Sequence, residues 1–275
     1  MTAGMVLSHL DAGPGAWGLD TGLVLGAAAY VAGVRRLARR GRRWSAARTT
    51  SFVVGLLLVF VALGSGLAVY DDVDLTLHVV QHVLVMMVAP ALLVAGRPLE
   101  LLARSSARPV QRRVARLARS RILHACTGPP MWALYPVSMG SYFLTPLFRL
   151  SEDDAALHAA LHGVFLAIGL CFWFGLFGEG ARRRSFVTRS VAVLAGMPVE
   201  AALGLALVLW PHPLAPGTPL GATRAAGQVL LMSSMVVSGA ALSLLVWRWV
   251  GDDERAAVRA GAVSAAAMAA APGPS

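Results

Sequence analysis

The chain has 275 residues, 57% of them hydrophobic and 14% charged, and a mean hydropathy of +0.66. Those values exclude a water-soluble globular domain of this length and put the protein in a lipid bilayer. The formal net charge of +10 does not mark a nucleic-acid binder, because the basic residues, all arginine, follow the connections between apolar runs.

A helix needs about 20 apolar residues to cross the hydrocarbon core. Seven such runs are present, near residues 16–34, 51–70, 75–96, 131–148, 155–178, 187–210 and 225–246. The expected fold is therefore all-α, a polytopic bundle of seven transmembrane helices occupying residues 16–250. All but two of the arginines fall in segments 35–48, 97–121, 182–189 and 248–259, which alternate along the chain; Arg149 and Arg224 are the exceptions. The positive-inside rule then places those four segments in the cytoplasm, the N-terminus outside and the C-terminus inside. The opposite connections carry acids, Asp71, Asp72 and Asp74 in one and Glu152, Asp153 and Asp154 in the next.

Residues 1–15 form an outer segment without a basic residue, so the first span reads as retained and not as a cleaved signal. Between spans three and four, residues 99–124 interleave Val110, Val114, Leu117 and Ile122 with Arg112, Arg113, Arg116 and Arg119. The pattern fits an amphipathic helix on the anionic inner leaflet, and equally a solvated basic loop. Pro90, Pro136, Pro146 and Pro198 lie inside spans and predict local breaks. Residues 251–275 open with three acids, become Ala-rich and end in Pro272, Gly273 and Pro274, which reads as a disordered cytoplasmic tail. Two cysteines, Cys126 and Cys171, cannot build a disulfide framework or a thiolate cage.

Spans three and five run in the same direction, and each carries a histidine pair at spacing i, i+4. His78 and His82 lie three and seven residues past the start of one span, His158 and His162 three and seven past the start of the other. That spacing puts each pair on one helix face, about 6 Å apart along the axis. If the two faces meet, four imidazoles converge below a rim of acids, a donor set for a late first-row metal, with copper favoured where no thiolate is present. Met86 extends the first face inward and Met232 lies at a similar layer; their thioethers would select Cu(I). Intramembrane histidines also serve as helix-packing partners and methionines as ordinary packing. His212, in the outer loop WPHPLAPG, is a candidate secondary ligand. Glu200, ten residues below the outer end of span six, has three readings: balancing a bound cation, relaying a proton, or resting as a protonated acid bonded to a neighbouring helix.

The segment HVVQHVLVMMVAPALLVAGRP, residues 78–98, resembles the H-x-x-Q-H block and AP-x-L-x-x-x-G-x-P ending of the CtaG family of bacterial cytochrome c oxidase assembly factors. LHAALHGVFLAIGLCFWF, residues 157–174, is similar to that family's paired-histidine helix. The resemblance implicates His78, Gln81, His82, His158 and His162, and implies seven spans, a bacterial plasma-membrane location, haem-copper oxidase subunits as partners and a link to copper delivery or oxidase maturation. Family members often have an Asp-Gln pair ahead of a glycine at the start of the last span; this chain reads GATRAAGQVLLMSSM from 221 and keeps only Gly227.

Three functions follow as expectations. The first is a non-enzymatic copper chaperone that holds the ion near the outer face and passes it to an oxidase. The second is an electron carrier with a haem ligated by one histidine from each helix. The third, a small-ligand transporter, rests on the span count and Glu200.

Overall fold

The computed structural model describes residues 14–67, 74–178, 184–214 and 218–270. Apart from a single bridge residue at Ser65, the regular structure in these segments is helical. Helix α1 (Pro14–Arg39) and α2 (Ala46–Gly64) precede a bent rod made of α3 (Leu75–Val83), a π-helical turn (Leu84–Val88) and α4 (Ala89–Ala95). Three short helices follow, α5 (Pro98–Ser105), α6 (Arg108–Ala118) and α7 (Arg121–Cys126). Then come α8 (Pro129–Leu144), α9 (Leu147–Asp153), α10 (Ala155–Phe177), α11 (Phe186–Leu209) and α12 (Leu220–Ala270).

Among the described residues, five helical stretches are long and apolar enough to cross a membrane: Ala46–Gly64, Leu75–Ser105, Ala155–Phe177, Phe186–Leu209 and Leu220–Glu254. The other two expected spans differ in a physical way. Helix α1 has 26 residues, but Asp20 and the arginines from Arg35 interrupt its apolar length. Helix α8 has 16 residues and ends at Leu144, not 148. Thr145 is extended and Pro146 opens α9, so the proline expected inside a span instead starts the next helix.

The bend in the rod has a local cause. Pro90 has no N–H to offer the carbonyl of Met86, and Ala89 N–H reaches back five residues to the Leu84 carbonyl, making a π turn. The freed turn lies against α10 at Gly169, where any Cβ would collide with the Met86 carbonyl oxygen and stand 2.8 Å from Pro90 Cγ. Glycine at 169 therefore lets the two histidine-bearing helices approach. Close approach recurs between α11 and α12, where a Cβ on Gly227 would lie 2.7 Å from the Gly204 carbonyl oxygen.

The main core gathers residues from α3, the π turn and α8 to α12, including Tyr142, Phe143, Phe148, Phe165, Leu176 and Leu207. A second core, with Tyr30, Leu37, Phe52 and Leu93, seats α1 and α2 on α4 and α5. At the arginine-rich end, Glu100 accepts from Arg48, Arg97 and Arg104 at 3.1, 3.3 and 3.0 Å.

The expected basic connection at 99–124 is broken into α5, α6 and α7, with Leu101 and Ser105 buried and no residue of α6 buried. The expected tail also differs: α12 continues as helix through Ala270, because its Ala-rich end has high helix propensity. Residues 271–275 and most of the outer segment 1–15 lie outside the described residues, as do Asp71 and Asp72.

Candidate metal centre

The two histidine helices begin in the same way. Asp74 accepts from the N–H groups of Thr76 and Leu77, and Asp154 from those of Ala156 and Leu157. Each is an N-cap, and each lies four residues before a histidine whose own N–H bonds back to the aspartate carbonyl, at 3.0 Å for His78 and 2.9 Å for His158. The repeat D-x-x-x-H-x-x-x-H thus fixes both pairs at the same height above their helix starts. These aspartates were read from sequence only as outer acids; their spacing to the histidines was the signal for the caps.

The two faces meet in register. His78 stacks on His158 with ring centroids 5.2 Å apart and planes 16° from parallel, and His82 meets His162 at 5.0 Å. Within the pairs the centroid distances are 4.7 Å and 4.5 Å. First meets first and second meets second, as parallel helices at equal depth require. All four rings are buried, His78 and His82 completely. Phe143, Phe148 and Phe165 close the cluster edge-on.

Polar contacts define what this cluster can hold. His78 Nε2 lies 2.9 Å from His82 Nε2 and also 2.9 Å from the Tyr142 hydroxyl, which stands 3.0 Å from Ser151 Oγ. A single ring nitrogen has one proton or one lone pair, so it cannot satisfy both neighbours fully. Its Nδ1 faces Glu152 Oε1 at 3.6 Å. With the proton on Nδ1 toward that carboxylate, Nε2 presents its lone pair to the cluster, the arrangement found in metal-binding histidines. His82 Nδ1 and His162 Nε2 are buried without a hydrogen-bond partner, an unfavourable state for isolated polar atoms in an apolar core.

One nitrogen each from His78, His82 and His158 lie within 4.8 Å of one another. Nitrogens around a tetrahedral ion with bonds near 2.0 Å stand about 3.3 Å apart, so small ring rotations would close the triad. His162, in contact with His82 and His158, is the fourth imidazole within reach.

The remaining expected site residues are dispersed. Gln81 points away from the histidines and donates to the Ala62 carbonyl at 2.9 Å, tying α3 to α2. Met86 is buried in the π turn, where its sulfur accepts from Ser138 Oγ at 3.8 Å. Met232 lies on the outer surface of the bundle, 61% exposed, and the structure does not bring it to the histidines. His212 is exposed in the connection after α11. Glu200 is buried and bonded to Ser234, among residues separate from the cluster. Sequence reasoning missed Tyr142 and Ser151. Tyr142 was embedded in an apolar run, and Ser151 reaches the cluster only because α9 folds over it.

A family model described as cytochrome c oxidase caa3 assembly factor matches residues 28–252. Uncharacterized proteins of Mycobacterium bovis and Mycobacterium tuberculosis are each 30% identical to this chain over 197 residues, and one of Mycobacterium leprae is 29% identical over 200. Each match covers 68% of this chain and 30% of the relative, so the chain spans under a third of those proteins' length. No solved structure matches.

Proposed function

The chain belongs to the cytochrome c oxidase caa3 assembly factor family, and we propose that within it the chain acts as a copper chaperone, holding Cu(I) between α3 and α10 and passing it to a haem-copper oxidase subunit. The observation that carries this reading is the convergence of His78, His82, His158 and His162 in one buried cluster, in which His82 Nδ1 and His162 Nε2 have no hydrogen-bond partner. Copper is the cargo here, bound and released by ligand exchange, so no catalytic residue is needed. In this reading the chain is a seven-span protein of the bacterial plasma membrane, N-terminus outside and C-terminus inside, with the histidines near the outer face.

The chemistry of the donor set supports the assignment. Neutral imidazoles without thiolates favour copper among the divalent late metals. Glu152 supplies a carboxylate at the mouth, beside His78, to attract a cation and orient that ring. Without an ion, the Tyr142 hydroxyl, itself bonded to Ser151, occupies the His78 Nε2 lone pair that a metal would take. Release requires only that the ion move between imidazoles a few ångströms apart toward an acceptor site. A small ion suits this geometry better than a haem: two imidazoles on one haem iron stand apart across the macrocycle, whereas the rings of His82 and His162 are in contact.

Purified full-length protein loaded with Cu(I), analysed for metal content and by absorption spectroscopy, tests the proposal. Wild type should retain about one copper per chain and show no haem bands, and the His78→Ala, His162→Ala double variant should lose the copper. Equal copper in both would reject the site, and a Soret band lost in the double variant would replace copper with haem.

A further inference from the structure

Glu200 is the buried carboxylate of α11, 6% exposed, in the middle of a membrane-crossing helix. Its Oε2 accepts a 2.6 Å hydrogen bond from Ser234 Oγ on α12. The same narrow cavity is lined by Tyr135 of α8, Trp173 of α10, Gly196 of α11 and Ser238 of α12. Tyr135 and Trp173 are each 3% exposed and face each other, and neither the phenol oxygen nor the indole nitrogen makes a hydrogen bond of good geometry. Two poorly satisfied donors and one carboxyl therefore meet at one enclosed space.

The charged and titratable groups around this space are few. Helix α8 contributes Tyr135, α10 an indole that does not titrate, and α12 the hydroxyls of Ser234 and Ser238. No arginine, histidine or second carboxylate lines the cavity among the described residues. Arg189, also on α11, donates to the Leu176 carbonyl instead. An ionised carboxylate buried in lipid without a cation is strongly disfavoured, whereas a protonated one keeps the Ser234 bond through one oxygen and donates through the other. The indole N–H opposes a bound cation, and leaves as its complement an acceptor such as a water oxygen. Gly196 makes the room: a Cβ there would meet nothing within 4 Å, and the space is on the order of one water molecule. Such a water could accept from Trp173, pair with Tyr135 and accept the Glu200 proton, satisfying all three groups.

We propose that Glu200, Tyr135 and Trp173 form a membrane-embedded proton-binding site built around one water, with Glu200 as the group that holds the proton. Trp173 lies eleven residues beyond His162 on α10, roughly 16 Å along the axis at about 1.5 Å per residue, so the site is distinct from the histidine cluster and does not depend on which cargo the cluster holds. The proton stays on the Glu200 carboxyl, whose O–H donates a hydrogen bond to the water, and no covalent bond is made or broken.

Infrared difference spectroscopy of the full chain in lipid at neutral pH, comparing wild type with Glu200→Gln, tests this. The wild type should contribute a protonated-carboxyl carbonyl band that the variant lacks, that shifts in deuterated water and that moves again in Tyr135→Phe. A hydrophobic carbodiimide, which reacts with protonated carboxyls in apolar surroundings, should modify Glu200 in preference to exposed Asp253 and Glu254. Loss of an ionised carboxylate band in Glu200→Gln, or an unmodified Glu200, overturns the proposal. So does a band that neither exchanges with deuterium nor responds to Tyr135→Phe, the result expected if the Ser234 bond is only a helix tie. Gly196→Val, which fills the space without removing a polar group, is the independent variant: it should move the carbonyl band to higher frequency, as the hydrogen bond to water is lost, while the helical content stays the same, and an unmoved band would count against the water.

Discussion

Replacing Gly169 with alanine adds a methyl group at the point where α10 meets the π turn, and the structure fixes what that does. The new Cβ would strike the Met86 carbonyl and stand 2.8 Å from Pro90 Cγ, where carbon atoms prefer about 3.5–4.0 Å. The backbone oxygen cannot rotate away, because the π turn is bounded by the 84-to-89 bond and by a proline, so the helices must part by roughly 1 Å. Overpacking of this kind costs about 1–3 kcal/mol. Gly169 lies seven residues past His162 on the same helix, so the separation carries His158 and His162 away from His78 and His82. Metal sites disturbed in their supporting shell lose about 10–100-fold in affinity. Thermal unfolding in detergent and competition for Cu(I) against a chelator of known affinity would be measured on the same preparation. Lower thermal stability together with weaker copper binding is expected. Unchanged copper affinity in a destabilised variant would refute the idea that this contact sets the histidine geometry.

Other consequences are separable. Gln81→Leu removes the bond to the Ala62 carbonyl and should lower stability by about 0.6–1.7 kcal/mol, the range of such bonds in membranes, with copper stoichiometry intact; loss of copper would make Gln81 a ligand instead of a tie. Tyr142→Phe removes the hydroxyl that competes with a metal for the His78 Nε2 lone pair and should leave Cu(I) binding as tight or tighter, as read by the same competition assay; weaker binding would mean that His78 does not ligate through Nε2. Asp154→Ala removes the cap below His158 and should destabilise α10 by about 0.5–2 kcal/mol, detectable by chemical or thermal unfolding.

Much of this arrangement is legible in the sequence because intramembrane polar residues are few and helical spacing is rigid. The i, i+4 pairs at 78, 82 and 158, 162 needed only equal helix starts to predict facing rings, and Asp74 and Asp154 supply those starts through their caps. What stayed hidden depends on side-chain direction and on short elements. Gln81 sits between two ligand candidates in sequence, yet it projects toward α2, because one residue from His82 is about 100° around the helix and carries it to the edge of the histidine face. Met232 was expected at the depth of the cluster but lies on the exposed face of α12, and depth says nothing about rotation. The run 131–148 looked continuous, but Thr145 and Pro146 divide it, and α9 then brings Phe148, Ser151 and Glu152 over the histidines.

X-ray absorption at the copper edge of the Cu(I)-loaded chain tests the central claim most directly. The account predicts imidazole nitrogens as the dominant neighbours of the ion, with the imidazole outer-shell scattering reduced in His82→Ala and in His162→Ala alike. A first shell dominated by sulfur, or one that neither substitution alters, would contradict it.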